Sequence, residues 1–489
     1  MGTVQTFSAC LREILNRRGI SASELSRRMG FSSRTSVFRL LNGETSHEKQ
    51  REFVKRLEEL NALALTPEEL AALKDGVEVS RVGAERFYIN LAMDELIMPS
   101  KREMLPLHIM RWRSGTMEEM SFSAWMGSTF SCRSVKLIIV GCCSGTLFRA
   151  LAEQLSCGRA EHVEITHYIQ ATGSALVRAL IAIQPVLYYG GYQAYMPEER
   201  HGRLFDCDLI LAECEDADGT RRWAQAIMPD ETRLCCCMLD SEQTYGFFAN
   251  LLTAYTAGMR PVKQSFTQPA SPADYLQYTE LYREIEKDTA LYDIKCDMPI
   301  NFIDADVLLD PVRDGFKAVG FCGEEEREAL VQAFHAIQKR RWENFCSKRS
   351  PTYTIFNVDR MRNFAKTGKQ SDHFFAIRPY TPAERVRILS DLRAQTANTP
   401  YFTVYFFKQD VEPVRDEIGL YEGKGLLLTR PDTDYRLDGD HAEALVTQPE
   451  LCDSFRHYYL DNLLKNHVRT DAETLRILDE LIALSRKSS

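Results

Sequence analysis

The stretch Ile20–Gly43, ISASELSRRMGFSSRTSVFRLLNG, predicts two short helices joined by a tight turn. Ser21 followed three residues later by Glu24 is a capping-box pattern, which favours a helix start at Ser21. Gly30 supplies the left-handed backbone that ends this first helix, and the pair Asn42-Gly43 ends the second. We therefore expect one helix over Ser21–Arg28 and another that begins near Ser32 or Ser33 and ends at Asn42-Gly43.

The two faces of this helix pair differ in chemistry. The inward face is apolar, whereas the outer face of the second helix carries small hydroxyl side chains and arginines. Such side chains contact base edges and phosphates when a helix enters the major groove of DNA. The expected inward residues are Leu25, Met29, Val37, Leu40 and Leu41. The expected DNA-binding residues are Ser33, Arg34, Thr35, Ser36 and Arg39, with Arg27 and Arg28 at phosphates.

The region around this helix pair is basic in an otherwise acidic chain. Between Cys10 and Asn42 there are seven arginines and two glutamates, a net charge of +5, whereas the whole chain carries −9. Subtracting +5 from −9 leaves −14 on the remaining residues. This distribution indicates that only the N-terminal region meets a polyanion, and it favours double-stranded DNA as the partner.

Further helical patterns flank the pair, and Thr66-Pro67-Glu68-Glu69 is a good helix start. We expect the helical domain to end near Asp75. With SASELSRRMG followed by SVFRLLNG, the region Phe7–Ala72 resembles the lambda-repressor-like (Cro-type, XRE-like) helix-turn-helix family. The resemblance implies an all-α DNA-binding domain of a transcriptional regulator, which binds paired half-sites as a homodimer. Ala22 stands where that family usually has a glutamine that contacts a phosphate.

Composition and cysteine placement exclude several classes of protein. The chain is 44% hydrophobic and 26% charged, as in soluble globular proteins, and no apolar run is long enough to span a bilayer. None of the 14 cysteines belongs to a CxxC pair, so zinc-ligand spacing is missing and buried reduced thiols are expected. The N-terminus lacks the pattern of a signal peptide. We expect a cytoplasmic, bacterial protein without a metal, a cofactor or a membrane partner.

From Ser134 onward the pattern changes to alternating strands and helices, which predicts an α/β body. Strands at Val135–Val140 and His162–Tyr168 are followed by a hairpin, a strand and a helix. A similar order begins again with a strand at His373–Arg378, and the spacing from Glu242 to Phe247 in the closing helix of the first unit recurs from Glu450 to Phe455. We therefore expect an internal duplication.

The fold class is thus α/β overall, with an all-α N-terminal domain and helical connectors. Between the α/β units, Pro299–Phe316 resembles a loop with one short strand. The expected domains are 1–75, the helix-turn-helix domain; 76–133, a helical connector; 134–262, the first α/β unit; 263–372, a mostly helical insert or linker; and 373–489, the second α/β unit with a C-terminal helix.

The duplicated element order is similar to the phospholipase D-like fold, whose catalytic signature is His-x-Lys followed by Asp. The His-x-Lys of this chain is His47-Glu48-Lys49, in the N-terminal region, and Val54 stands where the Asp would be. The resemblance therefore implies a fold without its catalytic residues. A duplicated Rossmann-like or periplasmic-binding-type sensor predicts nearly the same order. The alternative functions are a phosphodiesterase or nuclease targeted to DNA, and a protein-interaction scaffold.

Two groups of residues in the body are candidates for binding an effector. Gly141–Gly145 lies between a strand and a helix, where backbone amides bind anions, or it is only a tight turn. His167, Tyr188 and Tyr192 are the candidate residues of a small-molecule pocket, for which core packing is the alternative. We expect a transcriptional regulator, not an enzyme, whose body senses an unknown small-molecule or protein effector.

Overall fold

The computed structural model divides the chain into two compact units, Met1–Ala92 and Met93–Ser489. The residues it describes, to which all structural statements below refer, are 5–98, 108–113, 116–141, 145–157, 160–197, 208–229, 234–239, 242–256, 259–267, 272–296, 298–319, 323–347, 349–370, 377–408, 416–430 and 441–487.

The first unit is helical throughout its described part. Its apolar core contains Phe7, Leu11, Leu25, Met29 and Val37, all of them fully buried. The helices are α1 (Phe7–Arg18), α2 (Ala22–Arg28), α3 (Thr35–Leu41), α4 (His47–Glu59), α5 (Pro67–Val82) and, after a break at Gly83, α6 (Ala84–Ile97), within which the division between the units falls.

The expected helix starts are confirmed where a side chain caps them. The Ser21 hydroxyl accepts a hydrogen bond from the Glu24 backbone N–H at 3.2 Å, and Thr66 caps α5 in a complete capping box. The second helix of the pair begins later than expected, at Thr35, because the Ser33 hydroxyl accepts from the Thr35 N–H at 3.2 Å and holds a turn there.

The expected end of the helical domain near Asp75 is wrong, since α5 continues to Val82. Gly76 lets the start of α1 approach, because a Cβ on Gly76 would lie 3.0 Å from the Phe7 backbone. The Phe7 N–H also donates to the Ser80 hydroxyl at 3.0 Å. The second half of α5 therefore belongs to the core of the first unit.

The first half of the second unit contains a mixed sheet with helices. Its strands pair in the order β2-β1-β8-β7-β6-β3-β4-β5-β9. The elements are β1 (His108–Arg113), β2 (Thr116–Ser121), α7 (Phe122–Thr129), β3 (Ser134–Val140), α8 (Gly145–Ser156), β4 (His162–Tyr168), α9 (Gly173–Ala182), α10 (Gln184–Leu187), β5 (Tyr192–Pro197), β6 (Asp208–Asp216), β7 (Gly219–Pro229), β8 (Leu234–Leu239), α11 (Glu242–Tyr255) and β9 (Met259–Pro261).

The second half contains another mixed sheet, in the order β10-β16-β15-β14-β11-β12-β13. The elements are β10 (Lys263–Thr267), α12 (Pro272–Glu286), β11 (Leu291–Lys295), a 3-10 turn (Ile300–Phe302), α13 (Ala305–Val319), α14 (Glu324–Ser347), β12 (Thr352–Phe356), α15 (Val358–Thr367), α16 (Pro382–Asn398), β13 (Phe402–Phe406), β14 (Glu417–Tyr421), β15 (Gly425–Thr429), β16 (His441–Val446), α17 (Pro449–Tyr458), a π-helical segment (Tyr459–His467) and α18 (Asp471–Lys487).

The two sheets share one strand order. In the first, β5-β4-β3 are parallel and β6, β7 and β8 continue the sheet antiparallel. In the second, β13-β12-β11 are parallel and β14, β15 and β16 continue it antiparallel. A helix, α11 or α17, follows the last strand of each series. The α/β character expected from the sequence is confirmed.

The expected boundaries of the repeat differ from the observed ones. The strand that corresponds to β3 is β11, at Leu291–Lys295. The predicted boundary between residues 372 and 373 therefore falls within the second sheet instead of preceding it. The predicted strand His373–Arg378 lies mostly outside the described residues, and its described part, 377–378, is not a strand. The sequence 263–372 also holds β10 and β12, so it contributes to this sheet.

Three further expectations differ from the structure. Pro299–Phe316 was expected as a loop, but most of it belongs to α13, which accommodates Pro311 in its interior. The two phenylalanines at matching positions also differ, because Phe247 is 65% exposed on α11 whereas Phe455 is fully buried on α17. The sequence 76–133, expected to be a helical connector, contains β1 and β2, which pair with each other and join the first sheet through β8.

Among the described helices, none combines the length and the apolar character that crossing a bilayer requires.

A substitution at Gly368, which follows α15, tests how tightly the second half is packed. Its φ is +67°, and a Cβ there would overlap the Tyr380 backbone carbonyl. We expect Gly368→Ala to lower the free energy of unfolding in urea by about 2–5 kcal/mol, from left-handed strain and overpacking together. Gly423 has a φ of +77° but no atom within 4 Å of its Cβ position, so Gly423→Ala is the matched control, with a cost of about 1–2 kcal/mol. Equal costs would contradict the close approach.

Candidate nucleic-acid interface

The helix pair α2–α3 presents one apolar and one polar face. Val37 and Leu40 of α3 are 0% and 4% exposed and pack into the core of the first unit. The opposite face is open to solvent, as the helical period requires. The predicted residues Ser33, Arg34, Thr35, Ser36 and Arg39 are all exposed.

Three arginines of the basic region are engaged within the first unit. Arg12 of α1 donates two hydrogen bonds, of 3.0 and 2.7 Å, to the carbonyl of Leu41, the last residue of α3. Arg17 pairs with Glu13 at 2.8 Å. Arg18 pairs with Glu69 and also donates to the Leu63 carbonyl. These guanidinium groups hold α1, α3 and α5 together rather than facing a ligand.

Arg27 and Arg28, which we expected at phosphates, share one carboxylate. Arg27 lies 2.7 Å from the Glu24 carboxylate, and Arg28 lies 2.9 Å from it. Hydrogen bonds from Arg28 and Arg27 lower the pKa of Glu24. The carboxylate offsets part of their positive charge, so these two arginines are available to a phosphate only in competition with Glu24.

Arg34 and Arg39 differ from the other five arginines. Within the described ranges, neither side chain makes an ion pair or a hydrogen bond, and both are exposed. Arg34 immediately precedes α3, and Arg39 lies in its last turn. The positive charge of this region that is not engaged internally therefore lies at the two ends of α3.

Phe38 was not among the residues predicted for the interface. It lies on the outer side of α3 and is 46% exposed. An apolar side chain in this position is suited to contact a thymine methyl group in the major groove. The sequence does contain a signal for it, because Phe38 follows Thr35 by three residues and therefore shares its helix face. Its apolar character alone favours the core, and that is why the prediction did not include it.

The candidate pocket residues of the body are buried. His167, Tyr188 and Tyr192 are 0%, 2% and 0% exposed. The His167 Nε2–H donates to the Gly141 carbonyl at 2.9 Å, and the Tyr192 hydroxyl donates to Nδ1 at 2.8 Å. Burial lowers the pKa of His167 to about 4. These contacts occupy both ring nitrogens of a neutral histidine, which favours the core-packing alternative over a ligand pocket.

Tyr188 belongs to a contact between the two halves of the second unit. Its hydroxyl donates to Asp416 at 3.0 Å, and Gln184 donates to the same carboxylate. Arg430 lies over the Tyr188 ring, 4.3 Å from its centroid, and 3.5 Å from Asp416. Burial raises the pKa of Asp416, which the Arg430 guanidinium opposes. This cluster connects the halves through polar contacts in a buried setting.

The remaining sequence candidates give no site. Residues 142–144 of the segment Gly141–Gly145, for which the sequence left anion binding and a tight turn as alternatives, lie outside the described residues. His47 and Lys49 lie in the first turn of α4, in the helical first unit. In the part of the chain that is described, no group of three or more metal-ligating side chains is placed to hold an ion.

The burial of His167 predicts a pH dependence of stability. Between its unfolded pKa near 6.5 and its folded pKa of about 4, the unfolded chain binds a proton that the folded chain does not, so stability falls as the pH falls. His167→Gln keeps a donor for Gly141 and an acceptor for Tyr192 but does not titrate. We expect wild type to lose about 2–3 kcal/mol more than this variant between pH 7 and pH 4.5, measured by urea unfolding. If the free energy of unfolding fell equally with pH in wild type and in His167→Gln, the lowered pKa of His167 would be refuted.

Comparison with known proteins adds no family to this description. Neither a protein-family model nor a curated protein matches the chain. The functional interpretation therefore depends on the geometry of the first unit, and above all on which arginines are engaged and which are exposed.

Proposed function

We propose that the chain is a DNA-binding transcriptional regulator in which α2 and α3 form a helix-turn-helix and α3 enters the major groove. The α3 face that carries hydroxyl groups, arginines and Phe38 is the one left open to solvent. This combination supplies contacts for phosphates, for base edges and for thymine methyl groups. All of these side chains are suited to binding rather than to covalent chemistry.

The observation that carries the proposal is the distribution of arginine contacts. The side chains of five of the seven arginines between Cys10 and Asn42 contact protein groups, and the two without a partner among the described residues, Arg34 and Arg39, lie at the two ends of α3. Unpaired exposed guanidinium groups are suited to phosphates and to guanine edges. Arg12 also fixes the C-terminal end of α3 through the Leu41 carbonyl, which supports a preorganised helix.

We further infer that the body is an internal duplication of one α/β unit and that it senses an effector. The shared strand order of the two sheets supports the duplication. In this proposal the regulator is a cytoplasmic homodimer whose two helix-turn-helix domains bind paired half-sites. An effector that binds one arrangement of the dimer better than another would shift the half-site spacing toward that arrangement.

The salt dependence of DNA binding tests the roles of Arg34 and Arg39. For duplex enriched from a random library, we expect Arg34→Ala with Arg39→Ala to weaken binding at least about tenfold. The slope of log K against log salt should fall by about 1 for each phosphate that a protomer of the variant no longer neutralises. Fluorescence anisotropy across a salt series measures both quantities.

Arg17→Ala is the matched control for this experiment, because Arg17 is an exposed arginine that pairs with Glu13 on α1. The affinity of Arg17→Ala should stay within about twofold of wild type, and its slope of log K against log salt should not fall as that of the double variant does. An unchanged affinity in the double variant would refute the proposed interface, and a wild type without affinity for duplex DNA would refute the proposed function.

Phe38 should discriminate thymine from uracil at one position of each half-site. Replacing thymines one at a time by uracil removes only the 5-methyl group, and at the contacted position we expect a loss of about 1 kcal/mol or somewhat less in wild type. In Phe38→Ala the same replacement should have no effect, because the apolar partner is gone. Equal sensitivity of both proteins at every thymine would show that Phe38 does not contact a methyl group.

A further inference from the structure

A polar cavity in the second half of the body is not used by the proposed DNA-binding function. Its volume is about 160 Å³, and it lies at the amino ends of β11 and β12, beside the C-terminal part of α14. A buried cavity of similar size in another protein accommodates benzene, so this volume fits a ligand of about five to seven non-hydrogen atoms.

The cavity lies where the shared strands β11 and β12 meet the 3-10 turn and α14, which among the described residues are specific to the second half. Between β3 and β4 the described residues form one helix, α8, whereas between β11 and β12 they form the 3-10 turn, α13 and α14. Asn301 of the 3-10 turn and Asn344 of α14 line the cavity. The space is therefore a property of the diverged copy and not of the shared strand order.

Buried contacts hold the walls of the cavity in place. The Arg341 guanidinium, 4% exposed, forms two hydrogen bonds with Glu286, of 2.9 and 2.6 Å. Gln338 donates to the Ile300 carbonyl at 2.7 Å and so fixes the 3-10 turn against α14. Because Glu286 and Arg341 neutralise each other, they define the shape of the cavity and leave its charge to other residues.

Two side chains of the wall have unmet hydrogen-bonding capacity. Asn301 is 8% exposed, and within the described residues its amide makes no hydrogen bond. Thr352 is 2% exposed, and its hydroxyl has no partner there either. A buried polar group without a partner costs about 1–3 kcal/mol. Of the two, the Thr352 hydroxyl is fully buried in this way, whereas the Asn301 amide is unbonded but not fully buried; both leave hydrogen-bonding capacity that a polar ligand can complete.

Opposite charges lie at the rim of the cavity. Asp288 and Arg349 both line it, both are exposed, and neither forms an ion pair with another described residue. The Arg349 guanidinium stacks over Tyr401 at 6.0 Å from the ring centroid. A carboxylate and a guanidinium at one small opening match a ligand that carries both a positive and a negative charge.

We propose that this cavity binds a small zwitterion of the α-amino acid class, with a side chain no larger than that of serine. Its carboxylate pairs with Arg349, its ammonium group pairs with Asp288, and its remaining polar atoms bond Asn301 and Thr352. No covalent chemistry is involved. The site goes beyond the proposed DNA-binding function, and its test contains no DNA, so that failure of either proposal leaves the other standing.

Thermal unfolding of the full chain with single amino acids at millimolar concentration tests this site. We expect glycine, alanine or serine to raise the melting temperature by at least about 2 °C. Phenylalanine and tryptophan, which exceed the cavity, should not. Glycinamide lacks the carboxylate and acetate lacks the ammonium group, so each should give less than half of the shift. The absence of a shift with every small amino acid, or shifts with glycinamide and acetate as large as the shift with glycine, would overturn the proposal.

Thr352→Val and Thr354→Val separate ligand binding from folding. Both hydroxyls are buried on β12 without a partner among the described residues, but only Thr352 lines the cavity. Neither isosteric change should lower the melting temperature of the free protein. We expect Thr352→Val to reduce the ligand-induced shift at least twofold and Thr354→Val to leave it unchanged. Asn301→Leu removes a second polar group, the Asn301 amide, from the wall of the cavity. Equal ligand responses in wild type, Thr352→Val and Asn301→Leu would refute the site.

Discussion

Internal ion pairing in the first unit determines where its positive charge is available. Glu24 binds Arg27 and Arg28, and Glu69 binds Arg18, so carboxylates of α2 and α5 offset much of the basic excess. Arg34 and Arg39 at the ends of α3 have no such partner in the described part of the chain. An even distribution of charge would give weak attraction to any polyanion. The observed pairing instead leaves the available positive charge on the exposed face of α3, which is the basis of the proposed contact with DNA.

In the body, the corresponding constraint is a shared strand order, three parallel strands continued by three antiparallel ones. This order leaves the connections between the parallel strands free to vary in length. In the first half, the described part of the connection between β3 and β4 holds one helix, α8, whereas in the second half the connection between β11 and β12 holds α13 and α14. The polar cavity lies where this longer connection meets the strands. One shared strand order is thus compatible with a cavity that depends on the longer connection of the second half.

The sequence predicted local structure well where one signal dominated. Ser21 and Thr66 mark helix starts, and the apolar run Val135–Val140 marks β3. It failed at β11, LYDIK, because Asp293 and Lys295 interrupt the apolar pattern. In the structure Lys295 pairs with Glu417 on the neighbouring strand at 2.8 Å. At the interface, the i,i+3 and i,i+4 spacing of Glu24 with Arg27 and Arg28 would have been enough to predict their pairing, although we expected both arginines at phosphates. The contacts of Arg12 and Arg18 were not foreseeable, since their partners are distant in sequence.

The Asp416 cluster has a consequence for how the body unfolds. Gln184 and Tyr188 come from the first half, and Arg430 and Asp416 from the second, yet all four meet around one buried carboxylate. Separating the halves would take the Gln184 and Tyr188 donors away from that carboxylate, while Arg430 would stay beside it. The free-energy cost of losing these contacts couples the unfolding of one half to the unfolding of the other. Despite their repeated architecture, the halves are therefore poor candidates for independent fragments, and amide exchange should report them as one cooperative block.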